Sequence, residues 1–319
     1  MRRLVSLQSI SLAIVICALE APAEPIRFDT LCYVGTASRL SDGGARLTDN
    51  KDGGGIDPPA GAIWLPQPVP VSSGFVLSFG FRMSEGAGWP DPDGLQVGAD
   101  GLAFVIQNSA AGSGALGRGA GGLGYMYIEN SLAVELDTYQ NADWYGDPDG
   151  NHVSVQTRGR DFNVPHHVAF DHGSEGLWLE EGWGRWVQAT GDPSLEAVSV
   201  ERKLNDGEIQ QAQIAYNPGN LTMYLNNDRL FSIGLDLATL LALQGGGDAY
   251  IGFTAGTRYG YQNHDILSID FTPVPEPATW MLLSGGLLVL LCAARKRGGI
   301  HMAGPISDRP RSATGTFRR

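Results

Sequence analysis

Cysteine is nearly missing from this 319-residue chain, which has Cys17, Cys32 and Cys292 and no others. The first and last lie in apolar stretches at the two ends, so Cys32 stands alone between them and no internal disulfide can form there. Cys32 is expected to be a small buried apolar residue, with an intermolecular bridge as the alternative. Basic side chains are also scarce. Residues 24–275 carry 31 acidic against 13 basic groups, a net charge near −18. Such a surface argues against nucleic acid and anionic lipid as partners, and suits a domain that holds cations. Helical periodicity is lacking, as is any repeat at solenoid or propeller spacing. There is no nucleophile elbow, phosphate loop or zinc-type Cys/His set. Four of the six histidines, His166, His167, His172 and His301, show no metal spacing with carboxylates, and His264 reads as structural.

Long apolar runs occur only at the ends. Residues 1–23 read as a secretory signal peptide: Arg2 and Arg3 precede the apolar stretch Ile10–Leu19, and Ala21-Pro22-Ala23 offers a small-residue cleavage site. Cys17 lacks the small neighbours of a lipoprotein signal. At the other end, Val274-Pro275-Glu276-Pro277 precedes 17 mostly apolar residues, Ala278–Ala294, and then Arg295-Lys296-Arg297. A helix of that length spans roughly 26 Å, the short limit for a bilayer core, with the basic cluster on the cytoplasmic side. Motif, helix and basic cluster over 273–297 resemble the PEP-CTERM sorting signal of Gram-negative bacteria. The resemblance implies an exosortase-type sorting enzyme as partner, contact with the inner membrane through this helix, and delivery to the envelope or exopolysaccharide matrix. A plain membrane anchor is the alternative. Residues 298–319 extend past the usual end of such signals and read as a disordered tail.

The 250 or so residues between these signals suit one large all-β domain. Phe75, Leu77, Phe79 and Phe81 alternate along one strand, and Leu102–Ile106 reads as a strand buried on both faces. Glu196–Val200, Glu208–Tyr216, Leu221–Leu225 and Tyr250–Thr254 add further strands, and Leu235–Gln244 is the one expected short helix. Many short strands separated by Gly, Asp, Asn and Pro turns point to a β-sandwich. The seven tryptophans are expected as core or loop anchors, with Trp178, Trp183 and Trp186 an unassigned cluster.

The densest chemistry lies in residues 132–157. Glu135, Asp137, Tyr139 and Asn141 are two apart, so an extended strand projects them from one face. Asp147 and His152 follow after a turn rich in Gly, Asp and Pro, which can fold back on the same site. Carboxylates, an amide oxygen and a main-chain carbonyl suit Ca²⁺. Carboxylates with one imidazole suit a transition ion such as Mn²⁺. Acidic, Gly-rich turns also occur without metal, and Asp91-Pro92-Asp93-Gly94 is another of that kind.

This spacing resembles the metal segment of the legume-type (L-type) lectins. The resemblance implies that Glu135 and His152 hold the transition ion, that Asp137 and Asp147 bridge both ions, and that the Tyr139 carbonyl and Asn141 complete the calcium site. Ala142–Gly146 is one residue longer than the common pattern. Ala99-Asp100-Gly101-Leu102-Ala103-Phe104, Gly121-Gly122-Leu123-Gly124, Tyr250–Ala255 and His264–Ser268 match other parts of the family, though Ile269-Asp270-Phe271 stands where Trp is usual. A legume-lectin-like jelly-roll over 24–272 is therefore expected, with a cis Ala99–Asp100 bond. Asp100, Gly121, Tyr139, Asn141 and Tyr259 become the expected carbohydrate contacts, with Arg258 and Tyr261 in the loop that sets preference. Singly, Asp100 also reads as a turn residue, Tyr139 as core, and Ala110–Gly124 as a flexible linker.

The expected function is an exported, Ca²⁺- and Mn²⁺-dependent carbohydrate-binding protein rather than an enzyme, possible as a homodimer. A structural matrix protein without sugar binding is the alternative. A jelly-roll glycoside hydrolase is less favoured, because Gln140 stands where Glu-x-Asp-x-x-Glu enzymes need their second carboxylate.

Overall fold

A computed structural model describes residues 25–274, apart from 93, 95, 168–176, 182–184, 190–193 and 244–246; for 177–181 and 185–189 the backbone alone is described. The expected signal peptide, sorting helix and tail, His172, His301 and the side chains of Trp178, Trp183 and Trp186 lie outside the described residues. No helix among the described residues is long and apolar enough to cross a membrane.

Two antiparallel sheets face each other. The first runs in the order Cys32–Gly35, Ala60–Trp64, Asp248–Gly256, Gly101–Gln107, Ser131–Asp137, His152–Thr157 and Glu196–Ser199, with Val69–Pro70 beside Asp248–Gly256. The second runs in the order Asp228–Leu235, Gly219–Leu225, Gln210–Asn217, Phe75–Gly88, Gly260–Pro273, Ala45–Thr48 and Ser38–Arg39. A separate hairpin pairs Leu177–Glu181 with Arg185–Ala189. This is the expected all-β sandwich.

The alternation in Phe75–Gly88 decides which face turns inward. Phe75, Leu77, Phe79 and Phe81 are fully buried, whereas Val76 is 38% exposed. They meet Leu102, Phe104, Ile106, Leu132, Val134, Leu136, Val153 and Val155 of the first sheet in one apolar core. Phe253 joins the layers, with ring centroids 4.8 Å from Phe79 and 5.6 Å from Phe104. Full burial of such a side chain stabilises by about 1.5–3 kcal/mol, so this layer dominates the fold's energetics.

The first sheet is covered on its outer face as well, which explains the continuous burial of Leu102–Ile106. Ala62, Trp64, Ala103, Val105 and Ala133 pack there beneath Ala115, Leu123, Tyr125 and Ile128. The Gly- and Ala-rich segment is thus a packed cover rather than a linker. The Trp64 indole N–H donates to the Ala115 carbonyl at 2.8 Å, and the Thr254 hydroxyl donates to that of Leu123 at 2.7 Å. Gly124 has φ +72°, and a Cβ there would lie 2.8 Å from the Ala255 carbonyl oxygen.

Several expectations need correction. The helix is a single turn, Leu237–Leu240, because Leu235 ends a strand and Asp236 caps the turn through Thr239 N–H. A second turn of helix, Ala142–Tyr145, accommodates the extra residue of the loop after Asp137 and ends on Gly146 in the left-handed region, φ 74°. Cys32 is half-buried against the outer cluster rather than enclosed. Trp64 is core, but Trp89 and Trp144 are 59% and 75% exposed at loop tips. His264 is structural as expected: its Nδ1 lies 2.6 Å from the Thr48 hydroxyl.

Candidate functional site

Strand register assembles the site. Ser131–Asp137 and His152–Thr157 pair so that Glu135 faces Ser154 and Asp137 faces His152. Leu132, Val134, Leu136, Val153 and Val155 point to the core, so Glu135, Asp137, His152, Ser154 and Gln156 share the outer face. All five are buried, because the glycine-rich cover and the loop after Asp137 lie over them.

Each carboxylate is tied down. Glu135 accepts from the hydroxyls of Tyr125 and Ser154 and from the Gln156 amide at 3.2 Å. The loop after the strand wraps its main-chain N–H groups around three others. Tyr139 N donates to Asp137 at 2.8 Å, Gln140 N to Asp91 at 2.6 Å and Asn141 N to Asp147 at 2.6 Å. Asp91 belongs to the acidic turn left unassigned by the sequence, and is 1% exposed. Its carboxylate rests on Gly150, where an added Cβ would stand 2.4 Å from an oxygen.

Gathering carboxylates in a buried place raises their proton affinity. Burial, then the neighbouring Asp147 and Glu135, push Asp137 well above the usual carboxylate range. Burial pushes Asp147 up to about 8, against the lowering effect of the Asn141 N–H. Burial moves the imidazoles the other way: His152 titrates near 4, lowered further by His167, and His167 near 4, lowered further by Arg158. A cation is what such a set of oxygens and neutral imidazoles is suited to hold.

His167 is the principal residue that sequence spacing missed. Its Nε2 lies 3.2 Å from His152 Nε2 and 3.6 Å from both Glu135 Oε2 and Asp147 Oδ1. Glu135, His152 and His167 each offer an atom within 4.8 Å of the others, a group able to hold a metal. Fifteen residues and a strand end separate His167 from His152, so no local spacing could have revealed the pairing.

The expected sugar contacts gather at the same loop end. Ala99–Asp100 is cis, and Asp100 is clamped by its neighbours: its N–H donates to Gly256 O at 3.1 Å, and its carbonyl accepts from Thr138 N at 2.8 Å. Thr257 Oγ1 donates to Ala99 O at 3.0 Å. Burial raises Asp100 to about 8, with Arg258 lowering it. Asp100 Oδ2 and Asn141 Oδ1 are buried and accept no hydrogen bond from the described residues. Beside Asn141, a Cβ on Gly121 would come within 2.5 Å of Oδ1 and 2.7 Å of the Tyr145 ring. Only glycine leaves that approach open. Tyr139 is half-buried next to Asp137 rather than core.

Tyr259 stands at the rim. Its ring stacks on Trp89 with centroids 4.6 Å apart, and the Arg258 guanidinium lies 4.6 Å from its centre. Trp89 and Trp144 carried no sequence signal separating them from core tryptophans. The donor types present, carboxylates, an amide oxygen and imidazoles, with two partnerless buried oxygens, fit the Ca²⁺ and transition-ion pair that the resemblance implied.

The sequence pattern of the legume lectin domain matches residues 27–284, and that of the PEP-CTERM protein-sorting motif matches residues 273–297. Over 148 residues the chain is 30% identical to a probable L-type lectin-domain containing receptor kinase VII.2 of Arabidopsis thaliana, covering 44% of this chain and 18% of that protein. The chain therefore spans under a fifth of that relative's length. Among solved structures, lectin I from Ulex europaeus, bound to the methyl glycoside of α-L-fucose, superposes with a TM-score of 0.53 at 19% identity, covering 76% of this chain and 91% of that one. The Lotus tetragonolobus seed lectin does so with 0.51 at 21% identity, covering 78% and 95%. At these identities the likeness is one of fold.

Proposed function

This chain belongs to the legume lectin domain family, and on that premise we propose that it is an exported, metal-dependent carbohydrate-binding protein. The observation that carries the reading is that two buried oxygens at this end of the sheet lack partners, Asp100 Oδ2 and Asn141 Oδ1, the latter beside Gly121. An acceptor buried without a partner costs about 1–3 kcal/mol, a penalty that a ligand with hydroxyls and a cation would remove. The family is one of binding proteins, and Gln140 stands where the Glu-x-Asp-x-x-Glu motif of jelly-roll hydrolases has its second carboxylate.

Ca²⁺ would be held by Asp137, Asn141, Asp147 and the Tyr139 carbonyl, and a transition ion by Glu135, Asp137, Asp147 and His152. When bound, the ions neutralise the carboxylates and fix the loop. Asp100 then accepts from sugar hydroxyls, the Asn141 amide and the Gly121 N–H donate, and the Tyr139 and Tyr259 rings offer walls for the apolar ring face. Arg258 and Tyr261 border this opening and tune preference. The lectin domain occupies residues 24–272. The sorting motif at 273–297 supports delivery to the envelope or exopolysaccharide matrix through an exosortase-type enzyme, with exopolysaccharide as a natural ligand class.

A glycan array probed with the purified protein, with Ca²⁺ and Mn²⁺ and again with chelator, tests the reading. Binding that chelator abolishes, and that Asp100→Ala and Asn141→Ala also remove, is the expected result. A folded, metal-loaded protein that binds no glycan would instead point to a structural matrix protein with a lectin fold.

A further inference from the structure

The His167 side chain, 4% exposed, lies with the transition-ion residues, yet no role for it follows from the family pattern. Two independent contacts aim it there. Its main-chain N–H donates to the Tyr145 carbonyl at 2.8 Å, which fastens the segment to the one-turn helix Ala142–Tyr145 of the longer loop. Its ring meets that of His152 edge-on, with centroids 4.8 Å apart and an interplanar angle of 82°.

The tautomer of His152 follows from its partner. Its Nδ1 lies 2.9 Å from the Asp149 carbonyl, which only accepts, so Nδ1 carries the proton and Nε2 presents a lone pair. That lone pair faces His167 Nε2 at 3.2 Å, and the two carboxylate oxygens stand 3.6 Å from the same nitrogen. Ligands about 2.1 Å from one first-row ion, at angles of about 90–110°, stand about 3.0–3.4 Å apart. His167 Nε2 thus stands from three other donors at close to the separations of neighbours in one coordination shell, and Glu135, His152 and His167 each offer an atom within 4.8 Å of the others.

We propose that His167 is a further ligand of the transition-ion position, adding a second imidazole to Glu135, Asp137, Asp147 and His152, and that it widens the preference of the position for Zn²⁺ over Mn²⁺. The inference rests on the metal reading of the site given above and goes beyond it in ligand set and selectivity. Imidazole nitrogen suits zinc and its neighbours, whereas Mn²⁺ gains most from carboxylate and water oxygens. Adding a second imidazole shifts the balance toward zinc.

The full chain, its His167→Gln variant and its Glu135→Gln variant would be titrated separately with Zn²⁺, Mn²⁺ and Ca²⁺ by calorimetry. Zinc X-ray absorption would count imidazoles on the wild-type chain, which needs no variant to fold. Two imidazoles are expected. His167→Gln should lower Zn²⁺ affinity about 30-fold, in line with the 10–100-fold typical of altered metal surroundings. Mn²⁺ should change by threefold or less, and Ca²⁺ not at all. One imidazole on wild-type zinc, or equal losses for Zn²⁺ and Mn²⁺, would overturn the inference. Metal binding that needs Glu135 but ignores His167 would overturn it alone. Absence of binding to the folded wild-type chain would remove the underlying metal reading as well.

Discussion

The two faces of a single pair of strands, Ser131–Asp137 and His152–Thr157, are equally buried and chemically opposite. On the inner face Leu132, Val134, Leu136, Val153 and Val155 meet the second sheet. On the outer face Glu135, Asp137, His152, Ser154 and Gln156 are sealed beneath loops. The inner face gains free energy by leaving water, through apolar area alone. The outer face loses it unless each polar atom finds a partner, and for a gathering of carboxylates the adequate partner is a cation. Burial stabilises the first face outright and the second only when a cation completes it.

Breaking the inner face should have the largest effect. Phe79→Ala removes a ring packed against Phe81 and Phe253 and should cost about 3–5 kcal/mol in denaturant unfolding, with no rescue by added metal. Full rescue by metal would show that the faces are not energetically separate.

Metal removal attacks the other face and should be nearly as strong, about 2.7 kcal/mol relative to protein held at a hundredfold excess over Kd. Its pH dependence has a definite sign. Asp100 and Asp147, raised to about 8, and Asp137 keep protons in the native state that the unfolded chain releases from about pH 4. Chelated protein should therefore lose stability as pH rises from about 4 to 8. His152, His166, His167 and His264, lowered to about 4, 3, 4 and 3, have the reverse sign. They cost stability as pH falls below about 6.5, so the chelated protein should be most stable near the middle of this range. Thermal unfolding from pH 4 to 8, with and without chelator, checks this. A flat chelated curve across pH 5–8 would contradict it.

Asp100→Asn sharpens the contrast between stability and function. It replaces a buried, partly unpartnered carboxylate with a neutral amide, so stability should hold or rise slightly. Glycan affinity should fall about 10–100-fold, as expected for loss of a charged hydrogen bond worth about 1.5–3 kcal/mol. Trp89→Ala should have the smallest effect. The ring is exposed and stacks on Tyr259, so melting should not change, while affinity for glycans longer than a monosaccharide falls by up to about tenfold, the worth of one aromatic contact. An unchanged affinity would place Trp89 outside the binding surface.

Much of this was legible in the chain and some was not. Phe75–Met83 and Leu102–Ile106 declared their faces, because alternation with period two is a local property of a strand. Glu135 and Asp137 were legible for the same reason, since strand neighbours two apart share a side. The strand ends at Asp137, however, and Tyr139 and Asn141 lie in the loop beyond it rather than on the expected extended face. Asp91 was visible as an acidic turn residue but not as a group bound to the Gln140 N–H, and Trp89 and Trp144 could not be told from core tryptophans. The cover over the outer face could not be separated from a linker by pattern, only by the family resemblance of Gly121–Gly124, because glycine and alanine give no periodic signal even where Gly121 and Gly124 are required by close approach.

By itself the sequence determined the β class, the inward-facing residues and the strand that carries Glu135 and Asp137, all of which depend on near neighbours and the pleat. Tertiary structure decided what stands opposite that strand. His167 and Asp91 reach the site only after loops close over the sheet, and Trp89 meets Tyr259 only where the ends of Phe75–Gly88 and Gly260–Pro273 pair. Those meetings depend on contacts between residues far apart in sequence, where side-chain spacing along the chain carries no information about separation in space.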